Sequence, residues 1–192
     1  MLTTTRLLLR SFTLVDAPDV HLLAGAREAA STTLHIPHPY TRAMAVEWIS
    51  TSAESYAHGV LVNFAIVRRL DQVLMGCVGL DIDPQHANAE LGYWLGIPFW
   101  GSGYGTEAAR AVLQHGFETL LLHRIHAAHM TRNPASGRIL QKIGMTYEGC
   151  LRQQIRKWGV FEDIALYGML DQEYAQERSH DTAALSVDRR PL

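Results

Sequence analysis

The stretch Trp100-Gly101-Ser102-Gly103-Tyr104-Gly105-Thr106 separates a strand-like apolar segment from an amphipathic one. Its glycines let the backbone turn sharply and approach a ligand closely, because no Cβ stands in the way. The apolar residues that follow recur at helical spacing and predict a helix from about Thr106 with one buried face. The free N–H groups and the dipole of a first helical turn both favour an anion. The stretch therefore predicts an anion-binding loop, with an ordinary tight turn as the competing interpretation.

Two other phosphate-binding loops do not fit these residues. A Walker A loop requires a lysine after its last glycine, but Gly105 is followed by Thr106. A dinucleotide-binding fingerprint requires GxGxxG after a parallel strand. Here Gly101, Gly103 and Gly105 give GxGxG, and the preceding strand belongs to an antiparallel meander. A nucleotide-binding protein is therefore disfavoured.

The composition indicates one soluble domain. The chain has 192 residues, of which 47% are hydrophobic, enough for a single buried core. A net charge of -2 with dispersed basic residues argues against a nucleic-acid partner. We expect no signal peptide and no membrane span, because neither a charged leader nor a long apolar run is present. Cys77 and Cys150 lie far apart, which favours reduced thiols and a cytoplasmic location.

The hydrophobic pattern predicts strands that alternate with a few helices. A helix is expected from about Ala17 behind an Asp16 cap, and another from a Thr41 cap through residue 57, its buried face at 46, 49, 53 and 56. A short helix begins at an Asn133 cap and ends at Gly144. The strands, of which the second to fourth form the meander, are expected at residues 6–10, 61–68, 73–81, 89–95, 124–131, 146–155 and 162–170.

These elements predict the fold class α/β, or more narrowly α+β. The expected architecture is a central mixed, mostly antiparallel sheet flanked by helices. No repeat or low-complexity linker divides the chain, so we expect one domain over residues 1–174. Residues 175–192 are polar and aperiodic, and a disordered C-terminal tail is expected there.

Four segments, in this order and spacing, resemble the GNAT superfamily of N-acetyltransferases and, within it, the RimJ/RimL-like branch. They are TRLLLR at 5–10, AELGYWL at 89–95 with the glycine loop after it, HRI at 123–125 leading to NPAS at 133–136, and LQKIGM at 140–145. In the family's Arg/Gln-x-x-Gly-x-Gly/Ala motif, Gly103 and Gly105 fit the small positions and Trp100 replaces the Arg or Gln. The resemblance implies a splayed sheet, acetyl-CoA as co-substrate without a metal, and direct attack by a primary amine in a ternary complex.

The resemblance also implies a set of cofactor-binding residues. The loop amides would hold the pyrophosphate, and a backbone N–H near the end of the last meander strand would bind the thioester carbonyl. The start of the short helix would contact the pantetheine arm. The implied residues are Trp94, Leu95, Trp100, Gly101, Ser102, Gly103, Tyr104, Gly105, Thr106, Asn133 and Ser136.

Two side chains are candidates for catalysis. Glu90 is the candidate general base, acting through water, because the family often places a carboxylate on this strand; a solvated edge glutamate is the alternative. Many GNAT enzymes use a tyrosine seven residues after the asparagine that matches Asn133, but Leu140 occupies that position. The branch suggests Ser136 as the group that hydrogen-bonds the leaving sulfur, with a plain first-turn serine as the alternative.

The acceptor side is defined less sharply. We expect its entrance to include His35, Tyr40, Trp158, Asp163 and Tyr167. Asp163 either attracts a cationic amine or is a hydrogen-bonded strand residue. The branch favours a protein N-terminal amine, and an α-amine with a pKa of about 8 loses its proton more readily than a lysine at about 10.4. A small-molecule amine is left open.

The sequence also bears on a non-catalytic function, on metal binding and on dimerisation. A non-catalytic acyl-CoA-binding sensor would keep the loop and make Glu90 dispensable. A metal site at His123, His126 and His129 is rejected, because residues 126 and 129 fall on opposite faces of a strand. A homodimer in which the terminal strands pair is left open.

Overall fold

The computed structural model describes residues 1–187. Its strands are β1 (Leu2–Thr3), β2 (Leu7–Arg10), β3 (Leu61–Arg68), β4 (Leu74–Asp83), β5 (Asn88–Leu95), β6 (Arg124–Met130), β7 (Thr146–Lys157) and β8 (Val160–Leu170). Its helices are α1 (Ala17–Gly25), α2 (Arg27–Ser31), α3 (Arg42–Ala57), α4 (Tyr104–Glu118), α5 (Pro134–Lys142) and α6 (Asp171–Val187). Within this part of the chain, none of the helices combines the length and apolar character that a bilayer crossing needs.

All these strands belong to one sheet, in the order β1-β2-β3-β4-β5-β6-β8-β7. Neighbouring strands are antiparallel except β5 and β6, which run parallel. The parallel pairing covers only residues 88–90 of β5 and 124–126 of β6. Beyond it, β5 continues along β4 to Leu95, and β6 continues along β8 to Met130. The sheet is therefore mixed, mostly antiparallel and splayed in its middle, which confirms the predicted fold class.

Side-chain alternation along the strands gives the sheet two apolar faces. On the face covered by α4 and α5, here called the α4 face, a large cluster includes Leu80, Leu91 and Ile125. On the face covered by α1 and α3, the α3 face, a smaller cluster includes Ile49 and Ala65. The core is thus divided by the sheet, and the two faces offer different surfaces at the splayed strands.

Helix α4 lies close to the sheet because its buried face includes a glycine. The predicted apolar stripe is confirmed, and most of it is buried: Ala109, Val112, Leu113, Gly116 and Phe117. A Cβ added to Gly116 would lie 2.5 Å from Ile125 Cδ1. This close approach of α4 fixes the position of the glycine loop at its N-terminus relative to β5 and β6.

The structure corrects the predicted cap of α1. Asp16 makes no side-chain cap hydrogen bond. Its carboxylate accepts two hydrogen bonds from the Arg10 guanidinium, at 2.7 and 2.8 Å, and one from the backbone N–H of Thr13 at 2.8 Å. Burial raises the pKa of Asp16, but the hydrogen bonds from Arg10 and Thr13 outweigh burial and hold the pKa below its usual value. The ion pair joins β2 to the start of α1.

Two predicted helices differ from the structure in detail. Helix α3 has the predicted bounds, but its buried residues include Ala45 and Ser52, while Val46 and Tyr56 are exposed. Small residues face the sheet because Ser52 accepts a hydrogen bond from Asn63 on β3. Helix α4 begins at Tyr104, before the predicted Thr106, because the left-handed Gly103 ends the loop there.

The predicted C-terminal tail also differs from the structure. Helix α6 extends over residues 175–187, where the polar and aperiodic sequence predicts disorder. Its first turn is anchored on α4: Tyr174 stacks on Phe117 with ring centroids 4.9 Å apart, and its hydroxyl donates to Glu118 at 2.9 Å. These contacts involve one aromatic residue rather than a periodic pattern, which is why the sequence does not signal them. Residues 188–192 of the predicted tail lie outside the described residues.

We expect Asp16→Asn to lower the free energy of unfolding by about 2 kcal/mol at pH 7, because it leaves the half-buried Arg10 guanidinium without its carboxylate. Since the folded state lowers the pKa of Asp16, its contribution is present above the unfolded pKa of about 3.9 and is lost as pH falls through the folded value. Urea unfolding at several pH values measures this. Asp71→Asn, which removes an exposed ion pair with Arg68, is the control and should lower the urea midpoint much less; an equal loss in both variants would contradict the assignment.

Candidate active site

The splay exposes backbone amides of β5. Gly96 N–H donates to Met75 O on the β4 side at 2.8 Å, and Ala87 O accepts from His123 N–H on the β6 side at 2.7 Å. Because backbone groups alternate in direction along a strand, the N–H groups of Tyr93 and Leu95 point into the gap between β5 and β6. Trp94 pairs with Cys77 of β4, so its amide points away from the gap. Of the two residues predicted for the carbonyl site, Leu95 is the one whose amide is available.

The glycine loop closes one end of the gap. Gly101 and Gly103 have φ values of 73° and 80°, a left-handed conformation in which glycine costs least. Glu107 N–H makes the first helical hydrogen bond of α4, to Gly103 O, so the amides from 101 to 106 have no intrahelical acceptor. Trp100 Nε1–H donates to Leu95 O at 2.7 Å. Trp100 therefore fastens the loop to the end of β5 rather than offering a polar group to a ligand.

A second fastening holds the loop from the N-terminal hairpin. Glu107 accepts hydrogen bonds from the Thr4 hydroxyl at 2.6 Å, from Arg6 N–H at 2.8 Å and from Arg6 Nε at 2.6 Å. Arg6 also donates to Ser102 O at 3.0 Å and lies 4.4 Å above the Tyr104 ring. Burial raises the pKa of Glu107, but the hydrogen bonds from Thr4 and Arg6 outweigh it and the pKa is lowered. The loop thus has both its ends and its first helical turn fixed.

Helix α5 forms the opposite wall of the gap. Asn133 caps it as predicted, its side chain accepting from Ser136 N–H at 3.4 Å. A Cβ added to Gly105 would lie 2.9 Å from Ile139 Cδ1 and 3.4 Å from Leu95 Cδ1. The loop, the end of β5 and the middle of α5 therefore meet at one place.

Tyr93 connects the two walls and was not among the predicted site residues. Its hydroxyl lies 2.8 Å from Ser136 Oγ and 3.1 Å from Ser136 O. Burial raises the pKa of Tyr93 to about 12, with the Ser136 hydrogen bond opposing part of that rise. The sequence places Tyr93 in an alternating strand, where a buried aromatic is ordinary, so only the structure reveals the contact with Ser136.

Glu90 lies on the α3 face, at the base of the splay. It is exposed, and its registered neighbours are Asp81 of β4 and His126 of β6. His126 Nδ1 lies 3.1 Å from Asn88 Oδ1. Because residues 90 and 93 of one strand point to opposite faces, the Glu90 side chain is separated from Tyr93 by the backbone of β5. A molecule that approaches from the α3 face therefore meets Glu90 first.

Some of the residues predicted for the acceptor entrance lie together in the structure. The tip of the β7–β8 hairpin packs against the loop after α2: the rings of Trp158 and His38 have centroids 5.7 Å apart. Lys157 Nζ donates to Ile36 O at 2.9 Å, and burial together with the nearby Arg132 lowers the pKa of Lys157. His35 in this loop is exposed, and Tyr40 is half-buried in the α3-face cluster.

The structure places the other two predicted entrance residues elsewhere. Tyr167 is buried in the α4-face cluster, and its hydroxyl accepts from Gln141 at 3.3 Å. Asp163 lies on the same side of β8 and accepts from Gln153 N–H at 2.8 Å, within the bulge of β7. Its neighbour Glu162 faces the α3 side, where Arg132 Nε donates to it at 2.6 Å. Alternation along β8 puts Asp163 and Glu162 on opposite faces, but which face each one takes depends on the strand register, which the sequence does not give.

The histidines of β6 do not assemble a metal site. Among residues 1–179, whose side chains the structure describes, no group of three or more metal-ligating side chains gathers. His129 lies beneath α5, where a Cβ on Gly137 would be 2.7 Å from its Nε2. His126 points to the other face.

The comparisons with known proteins agree with this geometry. Residues 6–146 match the family described as "Acetyltransferase (GNAT) domain". The chain belongs to the GNAT acetyltransferases. YoaA of Bacillus subtilis, named an uncharacterized N-acetyltransferase, is 30% identical over 171 residues, which are 88% of this chain and 96% of YoaA. The p20 N-acetyltransferase of Bacillus licheniformis is 34% identical over 110 residues, and there the match spans 62% of the relative. The ribosomal-protein-serine acetyltransferase of Escherichia coli is 30% identical over 98 residues, 50% of this GNAT chain and 55% of that protein.

Solved structures share the GNAT fold. A GNAT-family acetyltransferase from Bacillus anthracis superposes with a TM-score of 0.79 at 25% identity, covering 88% of this chain and 98% of that one. RimL, described as a ribosomal alpha-N-protein acetyltransferase in complex with coenzyme A, gives a TM-score of 0.79 at 20% identity, over 87% of this chain and 95% of RimL. At that identity the second likeness supports the fold alone.

We expect Gly103→Ala to weaken coenzyme A binding about tenfold or more, since a Cβ at φ 80° costs about 1 kcal/mol and shifts the amides of the glycine loop. Calorimetric titration with coenzyme A measures this. Gly59→Ala is the matched control, because Gly59 has φ 72° and open space around its Cβ position, far from the loop. We expect the two substitutions to lower the free energy of unfolding by similar amounts. If Gly59→Ala weakened binding equally, backbone strain alone would explain the loss.

Proposed function

We propose that this GNAT acetyltransferase moves the acetyl group of acetyl-CoA to a primary amine by direct attack in a ternary complex. The gap between β5 and β6 is the observation that carries the proposal. It has free backbone amides on one wall, a helix N-terminus on the other and the glycine loop 100–106 at its end. Glu90 lies exposed on the α3 face at the base of this gap. A thioester in this gap is accessible to an amine from one face.

In the proposed complex, backbone N–H groups bind the negatively charged parts of the cofactor, and side chains position the part near its sulfur. The amides of residues 101–106 suit the pyrophosphate, because a helix N-terminus concentrates N–H donors and a positive dipole end. Leu95 N–H suits the thioester carbonyl, whose oxygen gains negative charge as the amine adds. A preorganised donor of this kind contributes about 3–4 kcal/mol to such a step. Ser136 and Asn133 suit the part of the cofactor near the sulfur.

The amine must lose a proton, and Glu90 is the group proposed to receive it through water. The carboxylate is exposed on the α3 face, and its registered neighbour on β6 is His126. At pH 7 an α-amine with a pKa of about 8 is roughly one-tenth neutral, whereas a lysine at about 10.4 is less than a thousandth neutral. A protein N-terminal amine therefore depends less than a lysine on a general base to remove its proton.

We propose a protein N-terminus as the acceptor. The Escherichia coli relative, a ribosomal-protein-serine acetyltransferase, is 30% identical over its matched half. The acceptor face is exposed around Glu90 and Gly92, with room for an extended peptide end. A thiol-release assay with acetyl-CoA, peptides of varied N-terminal residue and small amines tests the choice. Release with small amines alone would favour a small-molecule acetyltransferase; cofactor binding without release would favour a sensor.

We expect Glu90→Gln to lower kcat/KM about 100-fold at pH 7 while coenzyme A affinity stays unchanged, because it removes a general base and no cofactor contact. The difference in kcat/KM between the variant and the unmodified enzyme should become smaller as pH rises toward the pKa of the acceptor amine, since more of the amine is then already neutral in solution. Initial rates across pH measure this. Glu47→Gln, an exposed carboxylate on α3, is the control and should match the unmodified enzyme. An undiminished rate in Glu90→Gln would make Glu90 a solvated surface residue.

A further inference from the structure

We propose that Tyr93 is a positioning residue for the leaving group, holding Ser136 so that the serine hydroxyl donates a hydrogen bond to the departing sulfur. This inference rests on the proposed acetyl transfer and adds a residue to it. Tyr93 on β5 contacts Ser136, in the first turn of α5, across the gap between β5 and β6. At the level of Tyr93, β5 has no hydrogen-bonded strand on its β6 side, since β5 and β6 separate after Glu90.

The hydroxyl geometry allows two arrangements of two hydrogens. The Tyr93 oxygen lies 2.8 Å from Ser136 Oγ and 3.1 Å from Ser136 O. In one arrangement Tyr93 donates to the carbonyl and Ser136 donates to Tyr93, which consumes the serine hydrogen. In the other, Tyr93 donates to Ser136 Oγ, and the serine hydrogen is free to point into the gap. Negative charge on a sulfur in the gap favours the second arrangement, and both require only hydroxyl rotation.

Ser136 depends on Tyr93 for its position. The cap from Asn133 to Ser136 N–H is long, at 3.4 Å, and it fixes the backbone but not Oγ. Tyr93 is the only side chain with a hydrogen bond to Ser136 Oγ among the described residues. Leu140, one helical turn along α5, is fully buried and offers no hydrogen. The leaving-group side of the gap is therefore served by this pair of hydroxyls.

Tyr93 stays neutral in this role. Its buried hydroxyl has a pKa of about 12, well above a free thiol near about 8.5, so proton transfer from Tyr93 to the thiolate is uphill. It contributes a hydrogen bond rather than a proton.

The step balances without ionising either hydroxyl. The amine nitrogen forms a bond to the acetyl carbon, and the carbon–sulfur bond breaks with its electron pair on sulfur. The nitrogen proton leaves through Glu90 and water. The sulfur departs as a thiolate that accepts a hydrogen bond from Ser136 and later takes a proton from water.

Tyr93→Phe tests this role, because it removes one oxygen and leaves the ring. We expect kcat to fall about tenfold, with the KM for acetyl-CoA within about twofold, since hydrogen bonds to a charged atom are among the stronger ones. In a Ser136→Ala background the same change should cost nothing further, because its effect passes through the serine. Tyr174→Phe is the matched control: it also removes a hydrogen-bonded phenol, on α6, and should leave kcat unchanged.

A binding measurement separates this inference from the proposed function. Thiolate absorbance of bound coenzyme A, followed against pH, gives the pKa of its thiol. Binding to the unmodified protein should lower that pKa, and Tyr93→Phe should return it most of the way to the free value. Equal losses of kcat in both serine backgrounds, or an unchanged thiol pKa, would overturn the role of Tyr93 while acetyl transfer stands. Failure of the unmodified protein to bind coenzyme A would overturn both.

Discussion

The short parallel pairing of β5 with β6 is the constraint on which the rest of the structure depends. Three registered pairs hold the halves of the sheet together, and beyond them backbone amides of β5 lack a neighbouring strand. An unpaired buried amide costs about 1–3 kcal/mol, so such a gap persists only when other groups or a ligand satisfy it. Trp100 satisfies Leu95 O, and Tyr93 ties the far wall through Ser136. The remaining free amides are what a thioester can use.

The strands separate because each is held more extensively on its other side. β5 is paired with β4 from residue 88 to residue 95, and β6 with β8 along its whole length. Helices α4 and α5 meet above the opening, where Gly105 lets Ile139 and Leu95 approach. The opening is thus built into the topology: β5 follows β4 and β6 follows β8, and the two antiparallel pairs separate beyond Glu90.

The local elements of the fold could be predicted from the sequence, whereas contacts across the gap could not. Alternation and capping signals located the meander, α3 and α5, because these patterns are local. The buried face of α3 was misassigned because periodicity cannot tell which of two adjacent stripes, one with Ala45 and one with Val46, faces the sheet. The cap expected at Asp16 was wrong because Arg10, six residues away, competes for the carboxylate.

The candidate site shows the same division. The glycine loop was recognisable because backbone conformation there is dictated by glycine. The choice between Trp94 and Leu95 required knowing which amides β4 takes, and Asp163 and Tyr167 needed the register of β8 to be placed. Tyr93 carried no local signal at all. Its role arises only when β5 and α5, separated by about forty residues of chain, are brought to 2.8 Å.

Strand alternation also explains how one strand can serve both halves of the proposed reaction. Glu90 and Tyr93 are three residues apart on β5 and so project from opposite faces, with the amide of Leu95 directed into the gap between them. An amine adding to a thioester approaches from one side of the carbonyl, while the sulfur must be accommodated elsewhere. The carboxylate on the α3 face and the hydroxyl pair on the α4 face provide these separate environments. Because the backbone lies between them, the carboxylate and the developing thiolate are kept apart, which limits repulsion between two negative charges in the same step.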